Sequence, residues 1–228
     1  MYGVSYSVDI VMCIDATGSM QHLIDQVKRN ALRFYEDLVK VMTYKQKAID
    51  SLRVKVIAFR DFYVDGDHSL KISPFYKLPE ESEAFAAFVK GIKAGGGGDD
   101  PETSLEALAL ALKSEWLDVA DTAKGRQVVV MWTDTSSHPL ERQKDGKPPV
   151  YPEGIPGDFN GLTDWWEGDS HVRTSAKRLL VYAPDVYPWN NIAEHWSNAV
   201  HYPSKAGDGL ETVDYSAILD AIANTLGA

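Results

Sequence analysis

The chain has 228 residues, 44% hydrophobic and 25% charged, enough apolar material for the core of one large domain. Its formal charge of −10 argues against a nucleic-acid or anionic-membrane surface and favours cations or basic partners. The N-terminus Met1-Tyr2-Gly3-Val4-Ser5 does not read as a secretion signal and no run is long enough to cross a bilayer, so a cytoplasmic protein is expected.

The first element, Val8–Ile14, is an apolar run that reads as a buried strand; Cys13, the single cysteine, lies inside it as a small hydrophobe. It runs into Asp15-Ala16-Thr17-Gly18-Ser19-Met20, which sets a carboxylate and two hydroxyls at alternate positions where the strand turns into a helix. Apolar residues at helical spacing (Leu23, Ile24, Val27, Ala31, Phe34, Leu38, Val41, Met42) predict one helix over Gln21–Thr43. Leu52–Phe59 is the second strand, and Leu70–Tyr76 is expected to pair back on it as an antiparallel edge across a turn at Asp65-Gly66-Asp67. Glu80–Ile92 and Ser104–Leu117 are helical patterns. Between them runs Gly95-Gly96-Gly97-Gly98-Asp99-Asp100-Pro101-Glu102-Thr103, where Asp100 suits a helix N-cap and Pro101 the first turn.

Gln127–Thr133 is a strand ending in Thr133-Asp134-Thr135-Ser136-Ser137, a second carboxylate flanked by hydroxyls. His138–Ser170 holds five of the 11 prolines and the pair Trp165-Trp166, and reads as an ordered insertion over the carboxyl edge of the sheet. Arg178–Ala183 is another strand, and Tyr215–Leu226 closes the chain as a helix. Alternating strands and helices predict a single α/β domain over residues 1–228: an open, doubly wound, mostly parallel six-stranded sheet of Rossmann-like type. One edge strand is antiparallel, helices cover both faces, and the insertion at 138–170 lies over the metal face.

Asp, Thr and Ser supply the hard oxygen donors that Mg²⁺, Mn²⁺ or Ca²⁺ prefers. With its two strand-terminal motifs and acidic glycine loop, the chain resembles the von Willebrand factor A domain family, including integrin I and I-like domains. Asp15, Thr17 and Ser19 match that family's Asp-x-Ser/Thr-x-Ser motif, Asp99-Asp100-Pro101-Glu102 an I-like Asp-x-Pro-Glu loop, and Thr133-Asp134 the motif after the fourth strand. The resemblance implies a metal-ion-dependent adhesion site (MIDAS) built by Asp15, Thr17, Ser19, Glu102 and Asp134, with Thr103 or Ser104 as alternatives to Glu102. Asp99 resembles a ligand of a flanking second ion whose other partners are not identifiable.

If Asp15, Glu102 and Asp134 converge, their repulsion calls for a cation. Mg²⁺ is favoured, Mn²⁺ can substitute, and Ca²⁺ wants more protein oxygens than the motif offers. The implied function is metal-dependent protein binding, in which a Glu or Asp of a partner protein completes the ion's shell, within a multiprotein assembly. A Mg²⁺-dependent phosphate-ester hydrolase using Asp134 or His138, and a scaffold with a purely structural ion, are the competing readings. No Gly-x-Ser-x-Gly elbow, phosphate-binding glycine loop or zinc-like spacing of the six histidines is present.

Overall fold

The computed structural model describes residues 4–98, 100–118 and 124–226. Fourteen elements alternate along them: β1 Val4–Asp15, α1 Gln21–Asn30, α2 Phe34–Tyr44, β2 Lys47–Phe59, β3 Leu70–Ile72, β4 Tyr76–Leu78, α3 Ser82–Lys90, α4 Ser104–Leu112, β5 Gly125–Trp132, α5 Phe159–Glu167, β6 Lys177–Pro184, α6 Trp189–His195, β7 Ala199–Ser204 and α7 Tyr215–Leu226. The strands form one sheet in the order β3-β2-β1-β5-β6-β7, with β4 also paired to β2. β1, β2, β5, β6 and β7 are mutually parallel, and β3 and β4 run antiparallel to β2.

Both faces of the sheet are covered, which is why its central strands read as unbroken apolar runs. Side chains alternate between two cores, as the period of two requires. Val8, Ile10, Met12, Val54, Val56, Val128 and Val130 join α1, α2, α3 and α7 in one core. Val11, Cys13, Ile57, Phe59, Val129, Met131, Leu179 and Val181 join α4, α5 and α6 in the other. The chain winds outward from β1 to β2 and then crosses to β5 on the other side. The carboxyl ends of β1 and β5 are therefore the switch point of the sheet, where ligand crevices form.

Three expectations need correction, and one strand, β7, lies where none is expected. There are seven strands rather than six, because the expected edge strand splits into β3 and β4. Ser73 lies between them: its N–H donates to the Val56 carbonyl (2.9 Å), and its hydroxyl accepts from the Val56 N–H (2.9 Å). β7 carries no continuous apolar run because it is a half-buried edge. The long first helix is two helices joined by a 3₁₀ turn over Ala31–Arg33. Finally, α4 begins at Ser104 with Thr103 in the cap position, so Asp100 and Pro101 lie in the preceding loop, joined by a cis peptide bond.

The 138–170 segment is ordered, and much of its apolar content packs into the second core. Leu140, Leu162 and Trp166 are fully buried in the second core, and Trp166 stacks on Trp196 at 5.6 Å. Trp165 is half-buried against His171, with ring centres 3.8 Å apart.

Candidate functional site

Three loops meet at the switch point, and hydrogen bonds fix how they meet. The Ala16 N–H donates to the Phe59 carbonyl (2.7 Å), and the Ala16 carbonyl accepts from the Gly95 N–H (3.0 Å), clasping the loop after β1 between β2 and the glycine run. Glu102 forms a parallel bridge with Ser137. Its carbonyl accepts from the His138 N–H at 2.8 Å, which ties the loop before α4 to the loop after β5. Between these loops opens a cleft of about 210 Å³ lined by Thr17, Ser19, Gly97, Asp100, Glu102 and Asp134, among others.

Asp15 lies behind the cleft, not in it, and is wholly buried. One carboxylate oxygen accepts from the Thr17 N–H (2.9 Å) and the Thr17 hydroxyl (2.6 Å), the other from the Thr133 hydroxyl (2.8 Å). Thr17 thus spends its proton on Asp15, leaving oxygen lone pairs as its remaining polar capacity. Burial raises the Asp15 carboxyl to about 6, despite the hydrogen bonds from Thr17 and Thr133 and with a contribution from Asp134. The Ser19 side chain is exposed at the mouth.

Asp134 is held by a loop that motif reading did not flag. The Gly209 N–H donates to its carboxylate at 2.9 Å, and the Gly207 N–H to its carbonyl at 2.8 Å. Gly209 has φ +57° and passes against the Ser19 carbonyl with no room for a Cβ, so only glycine serves there. Trp189 was likewise missed; its indole N–H donates to the Thr135 carbonyl at 2.9 Å and steadies the strand end from below. Nothing in the pattern of Gly207-Asp208-Gly209 or of Trp189 distinguishes a clamp from an ordinary turn or core residue.

Glu102 is the unusual group. It is buried, and its Oε2 has no hydrogen-bond partner. Burial, then the negative charges of Asp15, Asp61, Asp65 and Asp100, push its carboxyl up to about 8. Gly97, at φ +71°, lies so close that a Cβ there would sit 2.8 Å from Glu102 Oε1 and 2.9 Å from Thr17 Cγ2. The Gly97 N–H in turn donates to Asp65 at 3.0 Å, so the turn expected only to join β2 to β3 also supports the glycine loop.

The alternatives to Glu102 are engaged or set back. Thr103 is wholly buried and donates to the Arg60 carbonyl at 2.5 Å; Ser104 is buried outside the cleft lining. Asp99 lies outside the described residues. His138 turns away from the cleft, with Nε2 3.4 Å from Asp61 and its ring against Tyr63 and Arg142. Among the described residues no three His, Cys, Asp or Glu side chains gather into a tight cluster. The cleft combines hydroxyls with spaced carboxylates rather than a packed carboxylate triad.

Residues 9–120 match the family model described as the von Willebrand factor A domain. The chain is 26% identical over 153 residues to the alpha-protein kinase vwkA of Dictyostelium discoideum, a match covering 66% of this chain and 22% of that protein. It therefore spans about a fifth of the length of that relative. Among solved structures it resembles the vWF domain of the type V pili tip protein Mfa5 from Porphyromonas gingivalis, with TM-score 0.53, 13% identity and coverage of 99% of this chain and 96% of that one. It also resembles the pilus adhesin SpaC from Lactobacillus rhamnosus GG, with TM-score 0.54 and 12% identity, over 96% of this chain and 30% of the adhesin. Among the described residues no helix is long and apolar enough to cross a membrane.

Proposed function

We propose that this chain carries a von Willebrand factor A domain, as the match over residues 9–120 suggests, and that it is a protein-interaction module whose switch-point cleft holds a divalent ion for an acidic residue of a partner protein. The whole chain is taken as one such domain, with 138–170 as its insertion. The observation that carries the reading is Glu102: a buried carboxyl with one oxygen unpartnered, facing a cleft that also holds Asp134 and the Thr17 and Ser19 hydroxyls. An unpaired buried carboxylate is costly, and a cation is the partner that would remove the cost.

Thr17, Ser19, Glu102 and Asp134 would hold the ion. Asp15 would act behind Thr17, aiming its lone pairs and adding negative charge, directly or through water. Few protein oxygens, two of them neutral hydroxyls, suit Mg²⁺ and its retained waters better than Ca²⁺. Neutral donors also leave the ion net positive, as capture of a partner's Glu or Asp requires.

The test is titration calorimetry with Mn²⁺, paired with thermal melts in EDTA and in millimolar Mg²⁺. An ion that binds only the folded chain stabilises it by roughly 2.7 kcal/mol at a hundredfold excess over Kd. For a chain of this size that is roughly 5–10 °C. Absence of Mn²⁺ heat together with coincident melts would overturn the reading.

A further inference from the structure

A second cavity has Ala16 in its lining, the residue before the cleft's Thr17, and its charge is opposite to that of the chain. It has a volume of about 310 Å³ and is lined by apolar groups that include Ala16 and Ile92 and by Arg60, His68, Lys71 and Lys93. Asp67 is the one acidic group in its lining. In a protein with formal charge −10, so many cations around one hollow call for an account.

Helix capping explains only part of it. Lys71 Nζ donates to the Gly91 carbonyl at 3.1 Å, beside the end of α3, and sits 4.9 Å from the Phe88 ring. Arg60 is not at a helix end: its Nε donates to the Ala16 carbonyl (3.1 Å) and its Nη2 to the Lys93 carbonyl (2.7 Å). These acceptors are all neutral. Among the described residues no ion pair involves Arg60, Lys71 or Lys93. The carbonyls orient Arg60 and Lys71 without cancelling their charge, which is the preorganisation an anion site needs.

We propose that this cavity is an anion pocket that receives the carboxylates of an acidic peptide segment of a partner protein. A peptide suits the hollow better than a small anion does, because about 310 Å³ exceeds what one small anion fills and Ala58, Leu70 and Ile92 line it beside the cations. The pocket needs no metal. Its position against the Ala16 carbonyl, between Asp15 and Thr17, would let one acidic segment span the pocket and the cleft of the proposed function. The surrounding negative chain repels polyanions elsewhere, so the pocket would confer specificity as well as attraction.

The test is fluorescence anisotropy with a labelled hexaglutamate peptide and the full chain in EDTA, with a hexaglutamine peptide as control. Expected are saturable binding of hexaglutamate only, affinity falling steeply with added NaCl, and at least tenfold weaker binding by the double variant Lys71→Gln/Lys93→Gln. Both lysines are exposed, so that variant should melt with the wild type. Asp15→Asn should bind the peptide normally even if it no longer binds Mn²⁺, which separates failure of this pocket from failure of the ion site. The proposal is overturned by absent binding to the wild type, by equal binding to the double variant, or by displacement with inorganic phosphate as effective as with unlabelled peptide.

Discussion

Replacing Glu106 with Gln should stabilise the domain, and by an amount that depends on pH. Glu106 lies in the first turn of α4, has no exposed surface, and accepts a hydrogen bond from the Tyr151 hydroxyl at 2.9 Å through Oε1. Its Oε2 has no partner. Burial raises its carboxyl to about 7; hydrogen bonds from its own backbone and from Tyr151, and the charge of Arg142, moderate the rise, while Asp61 adds to it. A group whose pKa is raised on folding contributes most favourably below its unfolded value, and that contribution is lost as pH climbs through the folded one. Ionising here at about 7, against about 4.5 unfolded, removes about 3 kcal/mol once pH exceeds both. Gln copies the neutral acid in shape and still accepts from Tyr151. In EDTA, the melting temperatures of Glu106→Gln and wild type should therefore converge near pH 4.5. They should separate progressively to pH 7 and then stay apart by roughly 6–12 °C in favour of the variant. Asp15 and Glu102 titrate in both proteins and cancel in the difference. A gap that does not change with pH, or a variant less stable at pH 8, would refute the argument.

Two further substitutions probe the cleft. In EDTA at neutral pH Asp15→Asn should melt no lower than the wild type, since burial raises the Asp15 carboxyl to about 6, while binding Mn²⁺ at least tenfold more weakly; Asp15→Ala should be about 1–3 kcal/mol less stable than Asp15→Asn, because the buried Thr17 and Thr133 groups lose their acceptor. Calorimetry and denaturant melts on the pair decide this, and full Mn²⁺ affinity in Asp15→Asn would remove the Asp15 charge from the site. Gly97→Ala should weaken Mn²⁺ binding about tenfold or more, since φ +71° strains a non-glycine residue and the new Cβ presses on both Glu102 and Thr17; unaltered affinity would show that the glycine loop does not shape the cleft.

Most of the fold was legible because its strands are buried on both faces. Val8–Ile14 and Gln127–Thr133 could be read as strands, and Tyr215–Leu226 was placed as a helix to the residue. The sites of failure share a cause: local pattern does not record tertiary cover. Ala199–Ser204 alternates weakly because it is an edge, and Trp165-Trp166 could not be divided from sequence into one half-buried ring and one core ring. The three candidate loops were legible because each pairs a strand or helix end with acids and hydroxyls. Their supports were not. Gly209 beneath Asp134, Asp65 beneath Gly97 and Trp189 beneath Thr135 are ordinary residue types, made important by sequence-distant neighbours.

Glu102 and Glu106 show why the same burial need not lead to the same chemistry. They are four residues apart, Glu102 in the loop before α4 and Glu106 in its first turn, both buried, and each keeps one carboxylate oxygen without a partner. Glu106 has no exposed surface, its Oε1 is taken by the Tyr151 hydroxyl, and it lies outside the lining of the cleft. A proton is small enough to neutralise it there, and near neutral pH that is the inexpensive remedy. Glu102 lines an open cleft with hydroxyls and a second carboxylate around it, so a hydrated divalent ion has both a path and further ligands. A proton on Glu102 competes with that ion, since a carboxyl raised to about 8 must ionise before it ligates. Divalent affinity should accordingly rise between pH 6 and 8.5, whereas Glu106 weakens the fold over the lower part of the same range. Mn²⁺ affinity that stays flat across that interval would mean Glu102 does not ligate the ion.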